Sequence, residues 1–294
     1  MTLDPPSTAF NFLTRVALSY ATLLDTPLAH PGTGLGGKLF YAGELDEEGR
    51  ALLVAANIAG AATLAASADR DAQKQALRDG IADFVVTNLD EALRILKNQL
   101  RKRETVAVCV AQSPSEVQHE MNERGVAPDL QRGDLSIPPS HNALGIQDKT
   151  DTPLLPEDAL AKLDGNKIPA VVTWRVDSAL PKDLALLDEI ALACLDGSSN
   201  TGPDAHLDAN RNARPDAGFE ADAWQSRRWL RLAPRYVGRL AQNLRLLDSN
   251  REFAARFIEE VDRLVKSGEI AATVEIHSYF RGTQDVHRFA PATP

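Results

Sequence analysis

Between residues 38 and 129 the hydrophobic pattern changes period repeatedly, and cap or turn residues mark each change. Leu39-Phe40-Tyr41-Ala42 is a short apolar run that predicts a buried strand, and 49–61 then carries apolar residues at helical spacing. The alternation continues with a strand at 63–66, a helix at 70–79 closed by Gly80, and a strand at 81–86. Asn88 and Glu91 form a capping-box pattern for a helix running to about Arg103, and the β-branched run 105–111 reads as the next strand. Ser113, Pro114 and Glu116 open a further helix, which Gly125 ends. Strands alternating with helices argue for a parallel sheet covered on both faces. Before this block, residues 9–24 read as a helix with Phe10, Leu13, Ala17, Tyr20 and Leu24 on one side.

Beyond residue 130 the pattern weakens. Residues 131–166 are polar and proline-rich, with one helical turn predicted at 156–163. A strand is predicted at 168–174 and a helix at 181–195. The segment 196–218, rich in Gly, Asn, Asp and Pro, reads as a mobile, protease-sensitive loop. Two helices, 223–247 and 250–266, and one short strand, 273–277, complete the expectation. The predicted fold is α/β, a Rossmann-like parallel sheet with helices on both faces plus a C-terminal helical segment. Its parts are an N-terminal helical arm and linker (1–35), the α/β domain (36–195), the loop (196–220) and C-terminal helices packed on the α/β domain (221–294).

Composition narrows the function classes. The 294 residues are 44% hydrophobic, enough for a sizeable core, and carry a formal charge of −9. That charge disfavours nucleic acid and anionic membranes as partners. Cys109 and Cys194 sit in apolar runs and read as buried free thiols of a reduced compartment. With no secretory pattern at the N-terminus and no apolar stretch of the roughly 18 residues a membrane span needs, the expected location is cytoplasmic.

The first strand–helix turn is where a dinucleotide binder places its glycine-rich phosphate loop. Here it reads Gly43-Glu44-Leu45-Asp46-Glu47-Glu48-Gly49. Its four carboxylates repel phosphate and complement the helix dipole by themselves. They are also hard oxygen donors, but their spacing matches no calcium motif, so no metal is expected. Gly32-Thr-Gly-Leu-Gly-Gly37 matches G-x-G-x-x-G, yet it precedes a strand instead of following one, so it reads as a linker.

Gly37-Lys38-Leu39, Ala59-Gly60-Ala61, Leu89-Asp90-Glu91-Ala92 and Arg124-Gly125-Val126-Ala127-Pro128-Asp129 occur in this order and at intervals that resemble the central Rossmann-like domain of urocanase (urocanate hydratase). The resemblance covers about 36–129. It implies a dinucleotide-binding fold, a link to histidine catabolism and a hydratase that uses tightly bound NAD as an electrophile. By the same resemblance the phosphate turn falls on 43–50, which keeps Gly43 and Gly49. The ribose-binding acid falls on Ser67, for which Asp69 is the nearest substitute. With the turn filled by acids, no bound cofactor is expected and NAD is disfavoured. The leading expectation is a urocanase-like protein without the family's reaction, acting as a binding, regulatory or accessory subunit. The alternative is a divergent hydro-lyase using NAD or another small ligand at the carboxyl edge of the sheet.

Two further features bear on chemistry. His141, in Pro138-Pro139-Ser140-His141-Asn142, is the histidine best placed for catalysis at the sheet's carboxyl edge, against the plainer reading of a solvated loop residue. Arg228, Arg231, Arg235 and Arg239 line one face of a predicted helix, with Arg227 and Arg245 nearby. That face reads either as solvated surface or as a contact for a protein partner, a second copy or a small anion.

Overall fold

A computed structural model describes residues 6–135, 170–177, 181–195, 224–238, 244–248, 251–280 and 283–291. The turn expected at 156–163, the loop at 196–218, His141 and Arg239 lie outside the described residues. The chain divides into two compact units, Met1–Pro139 with Leu232–Leu240, and Ser140–Arg231 with Ala241–Pro294.

The first unit contains helix α1 (Pro6–Leu24), then β1 (Leu39–Glu44), α2 (Glu47–Ala59), β2 (Ala62–Ala66), α3 (Arg70–Asp79) and β3 (Phe84–Val86). It continues with α4 (Leu89–Lys102), β4 (Val106–Val110), α5 (Pro114–Glu123) and β5 (Leu130–Gln131), followed by a 3-10 turn, Arg132–Asp134. The sheet order is β3-β4-β2-β1-β5 and every pairing is parallel. All residues of β2 and β4 are buried, as a parallel sheet with both faces covered requires. Leu39, Tyr41, Leu64, Val106, Val108 and Val110 form one core with Leu89, Ala92 and Leu96 of α4 and Val117 and Met121 of α5. α2 packs against β1 and β2, and α1 packs on α2. That double cover explains why ten of the thirteen residues of α2 are buried, in keeping with the nearly unbroken apolar run 51–59. The predicted arm is therefore part of this unit, with Leu13, Tyr20 and Leu24 buried.

Local caps fix the helix ends as the sequence predicts. Asn88 accepts from the Glu91 N–H at 3.0 Å, and Ser113 and Glu116 form a reciprocal box. Gly80 closes α3 in the left-handed conformation as expected, and Gly60, which lay inside the helix expected at 49–61, ends α2 in the same way. The third strand is shorter than the apolar run 81–86 suggests. Ile81 and Ala82 both donate to the Ala76 carbonyl and complete the α3 terminus, so pairing starts only at Phe84.

The second unit differs from the sequence reading in three places. The strand expected at 168–174 is β6 (Ala170–Asp177), and it does not extend the parallel sheet. It forms an antiparallel sheet, order β7-β6-β8-β9, with β7 (Leu244–Asp248), β8 (Thr273–Phe280) and β9 (Thr283–Phe289). The helix expected at 223–247 stops as α7 (Trp224–Val237), and Leu244–Asp248 is a strand. The Gly238 N–H closes the last turn on the Pro234 carbonyl, and a Cβ on Gly238 would meet that oxygen at 2.3 Å. Short apolar runs such as Leu244-Arg245-Leu246-Leu247 are ambiguous in period, and pairing with β6 decides this one. Finally, the single strand expected at 273–277 is a full hairpin, β8–β9. The C-terminal region is thus a mixed sheet-and-helix unit, where the sequence suggested two helices and one short strand.

Helices α6 (Pro181–Leu195) and α8 (Arg251–Ser267) pack together in this unit. Val172, Trp174 and Val176 of β6 and Val274 and Ile276 of β8 are buried on one sheet face, with Trp174 4.8 Å from the Phe257 ring of α8. An ion pair, Arg245 to Asp188 at 3.0 Å, is enclosed with them. Burial pushes the Asp188 carboxyl above its ordinary range despite the neighbouring guanidinium.

Candidate functional site

In an open parallel sheet, ligands bind beyond the carboxyl ends of the strands, where connections leave for opposite faces. α2 and α3 carry the chain one way across the sheet, and α4 and α5 carry it back. Right-handed crossovers put these two pairs on opposite faces, so the switch lies between β2 and β4. The turns at 43–49, 67–69 and 111–113 and the 3-10 turn after β5 border that edge.

The acidic turn is internally satisfied. Gly43 adopts φ +72° at a register shift in β1, the left-handed region that suits glycine. Asp46 caps α2, accepting from the Gly49 N–H at 2.8 Å. Arg132 donates through Nη1 to both Asp46 carboxylate oxygens at 3.0 Å and through Nη2 to Glu48. Burial opposes the guanidinium charge, but the bonds to Glu48 and Asp46 hold Arg132 above its usual range. Glu47 pairs with Arg15 at 2.5 Å, and Glu44 accepts from the Leu45 N–H at 3.0 Å. Gly49 serves packing, since a Cβ there would stand 1.8 Å from the Glu44 carbonyl oxygen. The amino end of α2, where a pyrophosphate would sit, is therefore taken by a side-chain carboxylate under an arginine clamp.

Asp69 is spent on a cap as well. Its carboxylate accepts from the Asp71 N–H at 2.8 Å to start α3, and Ser67 Oγ accepts from the Asp69 N–H at 3.3 Å. The buried Gln73 amide donates to the Ser67 carbonyl at 2.7 Å, closing this turn from within. At the end of β4, Gln112 keeps an enclosed side-chain oxygen without a hydrogen-bond partner, and the Tyr41 hydroxyl donates to the Pro114 carbonyl at 3.2 Å.

The buried thiol nearby is inert. Burial, with the charge of Glu44 second, pushes Cys109 up to about 12, as it does Tyr41. Cys194 is raised to about 11, mainly by burial. Among the described residues, no group of three or more His, Cys, Asp or Glu side chains could hold a metal ion.

Arg228, Arg231 and Arg235 of the expected arginine face lie on α7. Arg231 and Arg235 are exposed and Arg228 is half-buried on α7, opposite buried Trp229, Leu230, Ala233 and Val237. Arg235 lies over the Tyr236 ring at 5.5 Å. Arg245 does not belong to this face; it is on β7, buried with Asp188. Arg227 donates to the Leu195 carbonyl at 3.3 Å.

Arg132, the residue that organises the acidic turn, escapes sequence reasoning because it is distant in the chain. Its signal is Arg132-Gly133-Asp134 directly after the strand that lies beside β1. Among the described residues no helix is long and apolar enough to cross a membrane. Residues 16–143, which include the whole parallel sheet, match the family model of the urocanase Rossmann-like domain.

Proposed function

We propose that this chain is a urocanase-related α/β protein that does not hold a dinucleotide at its first βα turn and acts as a binding, regulatory or accessory subunit connected with histidine catabolism. The observation that carries this reading is the Asp46 carboxylate at the amino end of α2, clamped with Glu48 by Arg132. A phosphate brought there would displace the cap and face carboxylates. At about 4 Å each such charge costs roughly 1 kcal/mol in water and about 4 kcal/mol at a partly buried site. Asp69, the nearest substitute for a ribose-binding acid, is engaged as a helix cap. The residues present do not fit NAD at this turn, and no reaction step is routed through it.

A cytoplasmic location accords with two buried free thiols. Arg228, Arg231 and Arg235 are the candidate contact for an acidic protein surface or a small anion. Mass spectrometry of the denatured, freshly purified protein tests the main reading. The expected result is no stoichiometric NAD, and its recovery at one per chain would overturn the proposal. A second reading, a divergent hydro-lyase with a small ligand at the carboxyl edge, is favoured by the enclosed, unpartnered oxygen of Gln112. Loss of the ultraviolet absorbance of urocanate on incubation with the protein would select it.

A further inference from the structure

The antiparallel sheet of the second unit treats its two edge strands differently. On β7, the Trp229 indole N–H of α7 donates to the Leu246 carbonyl at 2.6 Å, so a side chain occupies a main-chain acceptor of that edge. On β9, no hydrogen bond reaches the main chain outside the β8 ladder among the described residues. An open edge strand of this length is a template for another strand. Val286 in its middle is 53% exposed, and Asp285 and Arg288 are exposed beside it. Pro291, which has no N–H, limits the pairing length.

The order of residues on this strand suits one occupant. In antiparallel pairing a residue's N–H and C=O point to the same side, and successive residues alternate. Two copies related by a two-fold axis must therefore match residues of equal orientation, so the axis passes through a residue position and never between two. With the axis at Val286, each Asp285 stands opposite the partner's His287, and the two valines face each other. Charged side chains on an edge protect it where they would meet like charge on an incoming strand, whereas here an acid and a base flank the centre symmetrically and face each other across the axis. His287 is also held in place by stacking on Phe289, with centroids 6.4 Å apart and planes inclined by 10°.

We propose that β9 pairs antiparallel with β9 of a second copy of this chain, about a two-fold axis at Val286, joining two four-stranded sheets into one continuous sheet. Two strands of this length bury less than a standard interface, so the dimer is a dissociating one.

Sedimentation equilibrium of the full chain, across about 1–100 µM, reads the association in a range matched to a micromolar complex. The expected wild-type result is a concentration-dependent dimer. V286K sets two lysines face to face on an exposed position and should weaken association at least about tenfold, as like charges directly opposite destabilise a strand pair. D285K should weaken it too, and D285K/H287D, which exchanges acid and base, should restore it. Circular dichroism and tryptophan fluorescence establish that each variant keeps its fold. A monomeric wild type, a dimer indifferent to both V286K and D285K, or a folded D285K/H287D that fails to recover would each overturn the proposal.

Discussion

The two units solve the placement of charge in opposite ways. In the parallel unit, the central strands β2 and β4 are buried on both faces and carry almost only small or branched apolar residues, so charge is confined to the rim. There the acids cap helices and meet arginines that remain partly exposed, as Arg132 does. In the antiparallel unit a charge pair, Arg245 with Asp188, lies inside the packed face, and a second cluster, Arg175, Arg288 and His277 around Glu275, lies on the other face. Rim charges thus serve local caps, whereas enclosed charges are conditions for the packing itself.

The three tryptophans, at 174, 224 and 229, all fall in the antiparallel unit, so their fluorescence follows that unit while circular dichroism follows both. The largest expected effect is in the parallel unit. Gly49→Ala would drive a Cβ to 1.8 Å from a main-chain oxygen that β1 holds in place. It should destabilise by about 3 kcal/mol or more, seen as a loss of cooperative helix signal while tryptophan emission stays native. A simultaneous change in both signals would break the comparison. Asp188→Ala comes next, because it leaves Arg245 enclosed without its carboxylate. A cost of about 3 kcal/mol is expected, read as a lowered melting midpoint by tryptophan fluorescence. A shift below about 0.5 kcal/mol would mean that water already reaches the pair.

Arg132→Ala should cost only about 1 kcal/mol, since its partners are partly exposed and screened. It should also leave the protein without NAD, because removing the clamp makes the turn more negative. Isothermal titration with NAD checks this, and tighter binding in the variant would reverse the reading of the turn. The smallest effect concerns acid. Burial raises the Glu275 carboxyl, but His277, Arg175 and Arg288 together bring it below its ordinary range. A group lowered on folding adds stability that is present above its unfolded value and is lost as pH falls through the folded one. The antiparallel unit should thus lose stability below about pH 4.5, near the unfolded carboxylate value. Glu275→Gln should flatten that dependence in tryptophan-monitored melts, and an unchanged pH profile would remove Glu275 as its source.

The elements most legible in the sequence were those with local causes. Asn88, Ser113 and Gly80 mark helix ends through bonds to residues three or four positions away, so their pattern is complete within a short window. The parallel character of the first sheet followed from the same locality, because each strand is joined to the next through a helix. The resemblance to urocanase rested on motifs within that block, and the matched segment extends on both sides of it. Arg245 and Arg132 show where locality ends. One was expected near the charged face on the helix 223–247 and is a buried strand residue; the other looked like an ordinary loop residue and clamps a turn formed more than eighty positions earlier.

Sequence by itself determined the strand–helix alternation, the acids at the first turn and the caps, since propensity, period and dipole act over a few residues. Tertiary structure alone decided that Leu244–Asp248 is a strand, that Ala170–Asp177 joins an antiparallel sheet and that Arg132 clamps the acidic turn. Each of these depends on a partner remote in the chain, and a short apolar or charged run has the same local energy in several conformations until that partner selects one.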